Sequence, residues 1–247
     1  MTDSNRQLDP SPYLSRLQQG VFDFLDFGCS RGGSIAMAKT LFTATRGLGI
    51  DINPDKVMQA LEGGYDAMVY NILELPNKPL VRFCVMSHFL EHVPDRNQVI
   101  AFLRKASVVS REFIFIRQPY FDADGYLFRH ALKLYWSDWH GHPNTMTTLQ
   151  FYTALRAMRE SREIGNFSIH LRGPIQSSTH EAVHPITSPI DQHNYDPLKH
   201  PPKPTHVQFE YPVFSEVFVL ISKPGTDHHC FFGKIKFDHT IFESTMD

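Results

Sequence analysis

The chain has few cysteines, only two tryptophans and little excess charge of either sign. Its three cysteines, Cys29, Cys84 and Cys230, are too scattered for a disulfide framework or a metal knuckle. They suit a reducing compartment, so the cytoplasm is the expected location. The 24 lysines and arginines stand against 26 aspartates and glutamates, for a formal net charge of −2. A protein that lives on phosphate backbones carries a basic excess or stripe, and none is visible, so nucleic acid is not expected as a partner. No stretch is long and apolar enough to predict a membrane span. The opening MTDSNRQLDPSPYL lacks the basic start and apolar run of a secretory leader. Internal repeats are also missing.

Phenylalanine is plentiful, at 20 residues in a chain that is 42% hydrophobic. That composition supports one substantial α/β domain with a large core and an aromatic-lined cleft. Residues 1–20 read as a polar lead-in with a short helix over 13–19. Residues 21–225 read as a single domain, and 226–247 as a tail or an extra strand. Within the domain, apolar runs predict strands at 21–27, 47–52, 67–70, 81–87 and 112–116. Helices are predicted at 34–41, 54–62 and 96–105, with Pro54 suited to a first turn. Strictly alternating strands and helices predict a mostly parallel, doubly wound sheet. After residue 117 the rhythm changes. Residues 118–147 read as loop, 148–162 as helix, 166–171 as strand and 213–222 as a last strand. Between these last two strands, residues 173–206 are rich in Pro and His and have no period.

The segment FLDFGCSRGG, residues 24–33, places Asp26, Gly28, Cys29, Ser30 and Gly32 where the first strand meets the first helix. Glycines allow a tight turn and close approach of the backbone to a ligand, and N–H groups at the helix start favour anionic or polar groups. Asp51 ends the second strand some twenty residues on, where a carboxylate accepts hydrogen bonds from ribose hydroxyls. The turn is not GxGxxG, so a dinucleotide site is not implied.

This turn resembles the first motif of class I S-adenosylmethionine-dependent methyltransferases. GLGIDINPDKV resembles their second motif, YNILELP the third and RFCVMSHFLEHVPD the fourth. The resemblance covers roughly residues 20–120. It implies a Rossmann-like sheet with an antiparallel C-terminal strand, and S-adenosylmethionine as cofactor. Asp51 would meet the ribose, Ile52 the adenine and Asn71 the adenine amino group, with Ile72 a further cofactor contact and Ser87 and His88 at the fourth strand end. Two departures stand out. Ser30 replaces the usual middle glycine and is tolerable if its φ is negative. Asn71 replaces a frequent Asp and would accept through its carbonyl.

Methyl transfer to a hydroxyl benefits from a general base, and His88 is the leading candidate. His92, four residues on, is usually structural in the family. The segment YWSDWHGHPNT, residues 135–145, follows the fifth strand, where the family places substrate loops. Asp138 and His140 are further catalytic candidates. Tyr120, Trp136, Trp139 and His142 are candidates for binding a small-molecule or glycan acceptor. Asp122 and Asp124 read as a turn. The insertion holds His180, Glu181, His184, Asp191, His193, Asp196 and His200, in no metal-ligand spacing, so a lid is expected there and no metal site. The rival readings are a catalytically silent methyltransferase-like binding module and a nucleic-acid methyltransferase. The absence of an Asn/Asp-Pro-Pro-aromatic motif counts against the latter.

Overall fold

The five apolar runs of the N-terminal half form five parallel strands of one sheet. They are β1 (Phe24–Phe27), β2 (Gly47–Asp51), β3 (Asp66–Val69), β4 (Val81–Ser87) and β5 (Ser110–Pro119). A computed structural model of the chain describes residues 8–190, 193–204, 206–233 and 235–244, so Asp191 of the insertion lies outside the described residues. Antiparallel strands complete the sheet: β7 (Phe167–Pro174), β9 (Phe214–Ser222) and β10 (His239–Glu243). The order across the sheet is β10-β7-β9-β5-β4-β1-β2-β3. The Pro/His-rich segment is inserted between β7 and β9.

Register explains the phenylalanines. Phe24, Phe83 and Phe113 are neighbours across β1, β4 and β5. Their rings stack with centroids 4.9 and 4.5 Å apart, under Phe42 at the end of a helix. One residue on, Leu25, Cys84 and Ile114 are neighbours in the same strands and belong to the core on the opposite face. Successive residues of a strand point to opposite faces, and both faces are apolar here because helices cover both.

Helices α1 (Ser11–Gln18), α2 (Gly33–Leu41), α3 (Pro54–Glu62) and α4 (Arg96–Val109) belong to the parallel half. Beyond it lie α5 (Asp124–Leu127), α6 (Thr148–Glu160) and α7 (His228–Phe232). Local chemistry starts several of them. The Asn53 side chain accepts from the Asp55 and Lys56 N–H groups ahead of α3, with Pro54 in its first turn. Thr147 and Gln150 form a reciprocal capping box at α6. Helix α4 runs four residues past its predicted end. Its last turn buries Ala106 and Val109, and Lys105 Nζ donates to the Leu75 carbonyl at 2.7 Å and to Asn77 Oδ1 at 2.6 Å.

Two short strands were not foreseen. β6 (Leu132–Leu134) and β8 (Val183–Pro185) pair antiparallel as a separate ribbon. Three residues carry no readable period, and the pairing joins segments about fifty residues apart in sequence. The ribbon ties the loop after β5 to the insertion. The functional consequence of the sheet order lies at β1. The chain leaves it toward β2 and β3 on one side, then crosses back to β4 and β5 on the other. Such a switch point opens a crevice at the C-terminal ends of the strands.

Candidate active site

That crevice is a cavity of about 820 Å³ whose lining includes Gly28, Ser30, Asp51, Ile52, Asn71 and Ser87. Gly28 has φ 70°, and a Cβ there would run into the Phe89 ring, so only glycine fits. Ser30 has φ 46°, contrary to the negative value that would have made it a comfortable substitute for glycine. A non-glycine residue in this region is strained. The strain is held in place because the Ser30 N–H donates to Asp51 Oδ2 at 2.9 Å. Asp51 Oδ1 accepts from the Asn53 N–H, also at 2.9 Å. Two backbone donors thus fix the carboxylate and leave further lone pairs on both oxygens. Beside it, Ile52 is 77% exposed, an apolar face turned to the cavity.

The remaining cradle residues play different parts. Asp26 is fully buried in β1 and does not line the cavity. Its Oδ2 accepts the Ser34 hydroxyl of α2, and its Oδ1 has no partner among the described residues. Burial pushes this carboxyl up to about 7, against the opposing Ser34 bond. Gly32, at φ 89° beneath Tyr65, is a turn residue outside the lining. Cys29 reaches the cavity but its side chain is buried, and burial pushes its thiol up. Asn71 Oδ1 accepts from the Leu73 N–H at 3.1 Å, and Nδ2 donates to Glu74 Oε1 at 3.0 Å. The expected adenine acceptor is therefore engaged in capping a turn. Ile72 lines the cavity from that turn.

A second chamber of about 520 Å³ adjoins the first and shares His88, His92 and Arg117 with it. His88, at the end of β4, has φ 51°. Its Nδ1 lies 3.2 Å from Glu91 Oε1 and its Nε2 lies 3.2 Å from Glu216 Oε1. A carboxylate oxygen beside each ring nitrogen favours the protonated, cationic imidazole. Burial disfavours that cation, but the bonds to Glu216 and Glu91 outweigh it and raise the group to about 9. Glu216 also receives Arg117 Nε at 2.6 Å. This environment favours the protonated ring and so does not favour His88 in its expected role as base.

The chamber's other walls come from distant segments. Trp139 lies 4.4 Å from the His193 ring and 5.8 Å from Tyr135, centroid to centroid. Trp136 shows the chamber one edge and donates Nε1–H to the Tyr120 carbonyl at 2.9 Å. His142 and His92 both line it. His92 Nδ1 donates to the Gly141 carbonyl at 2.6 Å, and His142 Nδ1 donates to the Trp136 carbonyl at 3.0 Å. Neither backbone bond uses Nε2. Tyr120 is buried and lines neither cavity. Asp138 pairs with buried Lys133 at 2.5 Å, bracing the 134–139 turn, and His140 also lies outside both linings. Asp122 accepts from Thr148 and Asp124 from Ser137, as turn residues do. The insertion supplies His180, Glu181, His193 and Asn194 to the wall.

Glu91, Arg117 and Glu216 were missed as site residues. Glu216 carries no local signal, because it lies 128 residues from His88 and meets it only through the β5–β9 pairing. Glu91 stood in view within LEHV, but its burial is a tertiary fact.

No family model matches the chain, and no curated protein does. Solved structures do resemble it. A SAM-dependent methyltransferase from Archaeoglobus fulgidus has a TM-score of 0.52 at 17% identity, over 87% of this chain and 95% of that one. The YcgJ protein from Bacillus subtilis has a TM-score of 0.51 at 12% identity, over 89% and 98%. With the strand order and the switch-point cavity, this likeness defines the class: the chain has the class I methyltransferase fold. Among the described residues, no helix is long and apolar enough to cross a membrane.

Proposed function

We propose that the chain is an S-adenosylmethionine-dependent methyltransferase that methylates a hydroxyl of a small polar acceptor, with sugars and glycans the first class to try. The observation that carries this reading is Asp51, fixed by two backbone N–H groups at the end of β2, beside the exposed face of Ile52. A vicinal diol suits the free lone pairs of that carboxylate, and an adenine face suits Ile52. The volume of about 820 Å³ falls within the range of small-ligand pockets.

The cofactor, when bound, supplies an activated methyl group on a sulfonium. This chain's residues hold and align the two partners and exclude water. The adjoining chamber, with Trp139, Tyr135 and His193 on its wall, suits a polyhydroxylated acceptor through aromatic faces and polar rims. With His88 held between two carboxylates, a histidine base is better sought at His92 or His142, whose Nε2 atoms take no part in their backbone bonds. The three free cysteines accord with a cytoplasmic location.

Calorimetry with S-adenosylhomocysteine tests the reading. One molecule bound per chain is expected, and no heat with either S-adenosylhomocysteine or S-adenosylmethionine at ~1 mM ligand would sink it. A second reading, a silent module, is favoured by Asn71, whose amide is spent on its own turn. It predicts binding without turnover across a panel of hydroxylated acceptors. The net charge of −2 stands against a nucleic-acid acceptor.

A further inference from the structure

The second chamber holds three groups that the methyl-transfer reading does not require together. Glu91 is 1% exposed, and its Oε2 has no partner among the described residues. Leaving a carboxylate oxygen buried and unpaired is costly. His92 and His142 stand beside it, their rings 5.1 Å apart. One ligand atom from each of Glu91, His92 and His142 lies within 4.8 Å of the others. All three residues line the chamber.

The tautomers are already set for coordination. Each histidine spends its Nδ1–H on a backbone carbonyl, Gly141 for His92 and Trp136 for His142. That arrangement orients a ligating imidazole and leaves Nε2 as the donor to a metal. Glu91 is held on its other oxygen by His88. We propose that Glu91, His92 and His142 form a site for one divalent transition cation on the wall of the acceptor chamber. Two imidazoles and one carboxylate favour zinc, manganese, cobalt or iron over magnesium or calcium. At bond lengths near 2.1 Å, ligand atoms around one cation sit roughly 3–3.5 Å apart, so the set closes by small side-chain rotations.

Three protein ligands leave coordination positions open. An acceptor hydroxyl entering the chamber would fill one of them, and the cation would lower its pKa so that its proton passes to solvent as the oxygen takes the methyl group. This last role rests on the methyltransferase reading; binding of the cation does not. The sequence led to no expected metal site, and these ligands lie outside the His-rich insertion. Two come from the turn after β4 and one from the loop after β5.

The probe is Co²⁺ alone, added to chelator-stripped, dialysed full-length protein and followed by visible absorption and calorimetry. One equivalent is expected, with ligand-field bands in the visible. Glu91→Gln and His142→Ala should each weaken Co²⁺ at least tenfold and leave S-adenosylhomocysteine affinity within about twofold of wild type. If buried Glu91 does not tolerate glutamine, the loop variant His142→Ala decides alone. Absence of a one-equivalent site in the wild type would overturn the proposal. So would Co²⁺ binding unchanged in both variants, which would assign the metal to other histidines. Co²⁺ bound in this pattern without any S-adenosylhomocysteine binding would support the metal site and overturn the methyltransferase reading.

Discussion

The first cavity is built from consecutive strand ends, whereas the second draws its wall from segments as far apart as His88 and Glu216. In the first, backbone N–H groups hold a single carboxylate at the cavity, and these residues sit within short motifs. In the second, side chains form the wall, and they meet only because β9 pairs with β5 and the β6–β8 ribbon fastens the insertion to the loop after β5. A site of backbone groups tolerates change in its neighbours and suits a ligand shared by many enzymes. One assembled from remote side chains can be respecified by altering any one loop. His88 lines both chambers and is held by two carboxylates, Glu91 and Glu216, that line the second.

Breaking the core that supports the sheet should hurt both chambers. Phe83→Ala removes the middle ring of the stack and leaves a cavity in a fully buried position. The expected loss is about 3–5 kcal/mol in denaturant unfolding. A loss below 1 kcal/mol would mean that the sheet does not depend on the stack. Breaking the first chamber alone is the task of Asp51→Ala. Loss of charge-assisted bonds worth about 3 kcal/mol should weaken S-adenosylhomocysteine by roughly a hundredfold in calorimetry. Unchanged affinity would place the nucleoside elsewhere.

Trp139→Ala addresses the second chamber. Acceptor KM should rise about tenfold while S-adenosylhomocysteine affinity stays put, as expected for a lost aromatic contact of roughly 1.4 kcal/mol. Equal loss of both would dissolve the distinction between the chambers.

Asp26 gives a pH test beneath the first chamber. Burial raises its folded value above that of the unfolded chain, so the protonated form favours the fold. Its contribution is present at acid pH and is lost as pH rises from near 4 through about 7. Asp26→Asn should flatten that slope and raise the melting point at pH 8 by about 2–4 °C. A variant melting below wild type at pH 8 would show that the carboxylate itself is needed. The smallest effect belongs to Ser30→Gly. Relief at φ 46° and the added freedom of glycine nearly cancel, so stability should change by less than about 1 kcal/mol.

Much of the first chamber was legible in the sequence. A strand, a glycine turn and a helix follow one another without interruption, and Gly28, Ser30 and Asp51 fell at the C-terminal ends where a parallel sheet opens. Legibility failed where burial decides. Asp26 looked like a ligand contact and is a buried partner of Ser34. Tyr120 and Asp138 sat in a promising loop, yet one faces the core and the other braces Lys133. His88 looked like a base because its two carboxylate neighbours, Glu91 and Glu216, come from a turn and from a remote strand.

By itself the sequence determined the alternation of strands and helices and the helix caps at Asn53 and Thr147. These depend on neighbours a few residues away, through backbone sterics and local hydrogen bonds. Tertiary structure alone decided which charges meet, which histidine nitrogens keep a lone pair, and that Glu91 lies buried beside His92 and His142. Those outcomes depend on desolvation and on contacts between remote segments, and no local pattern encodes them.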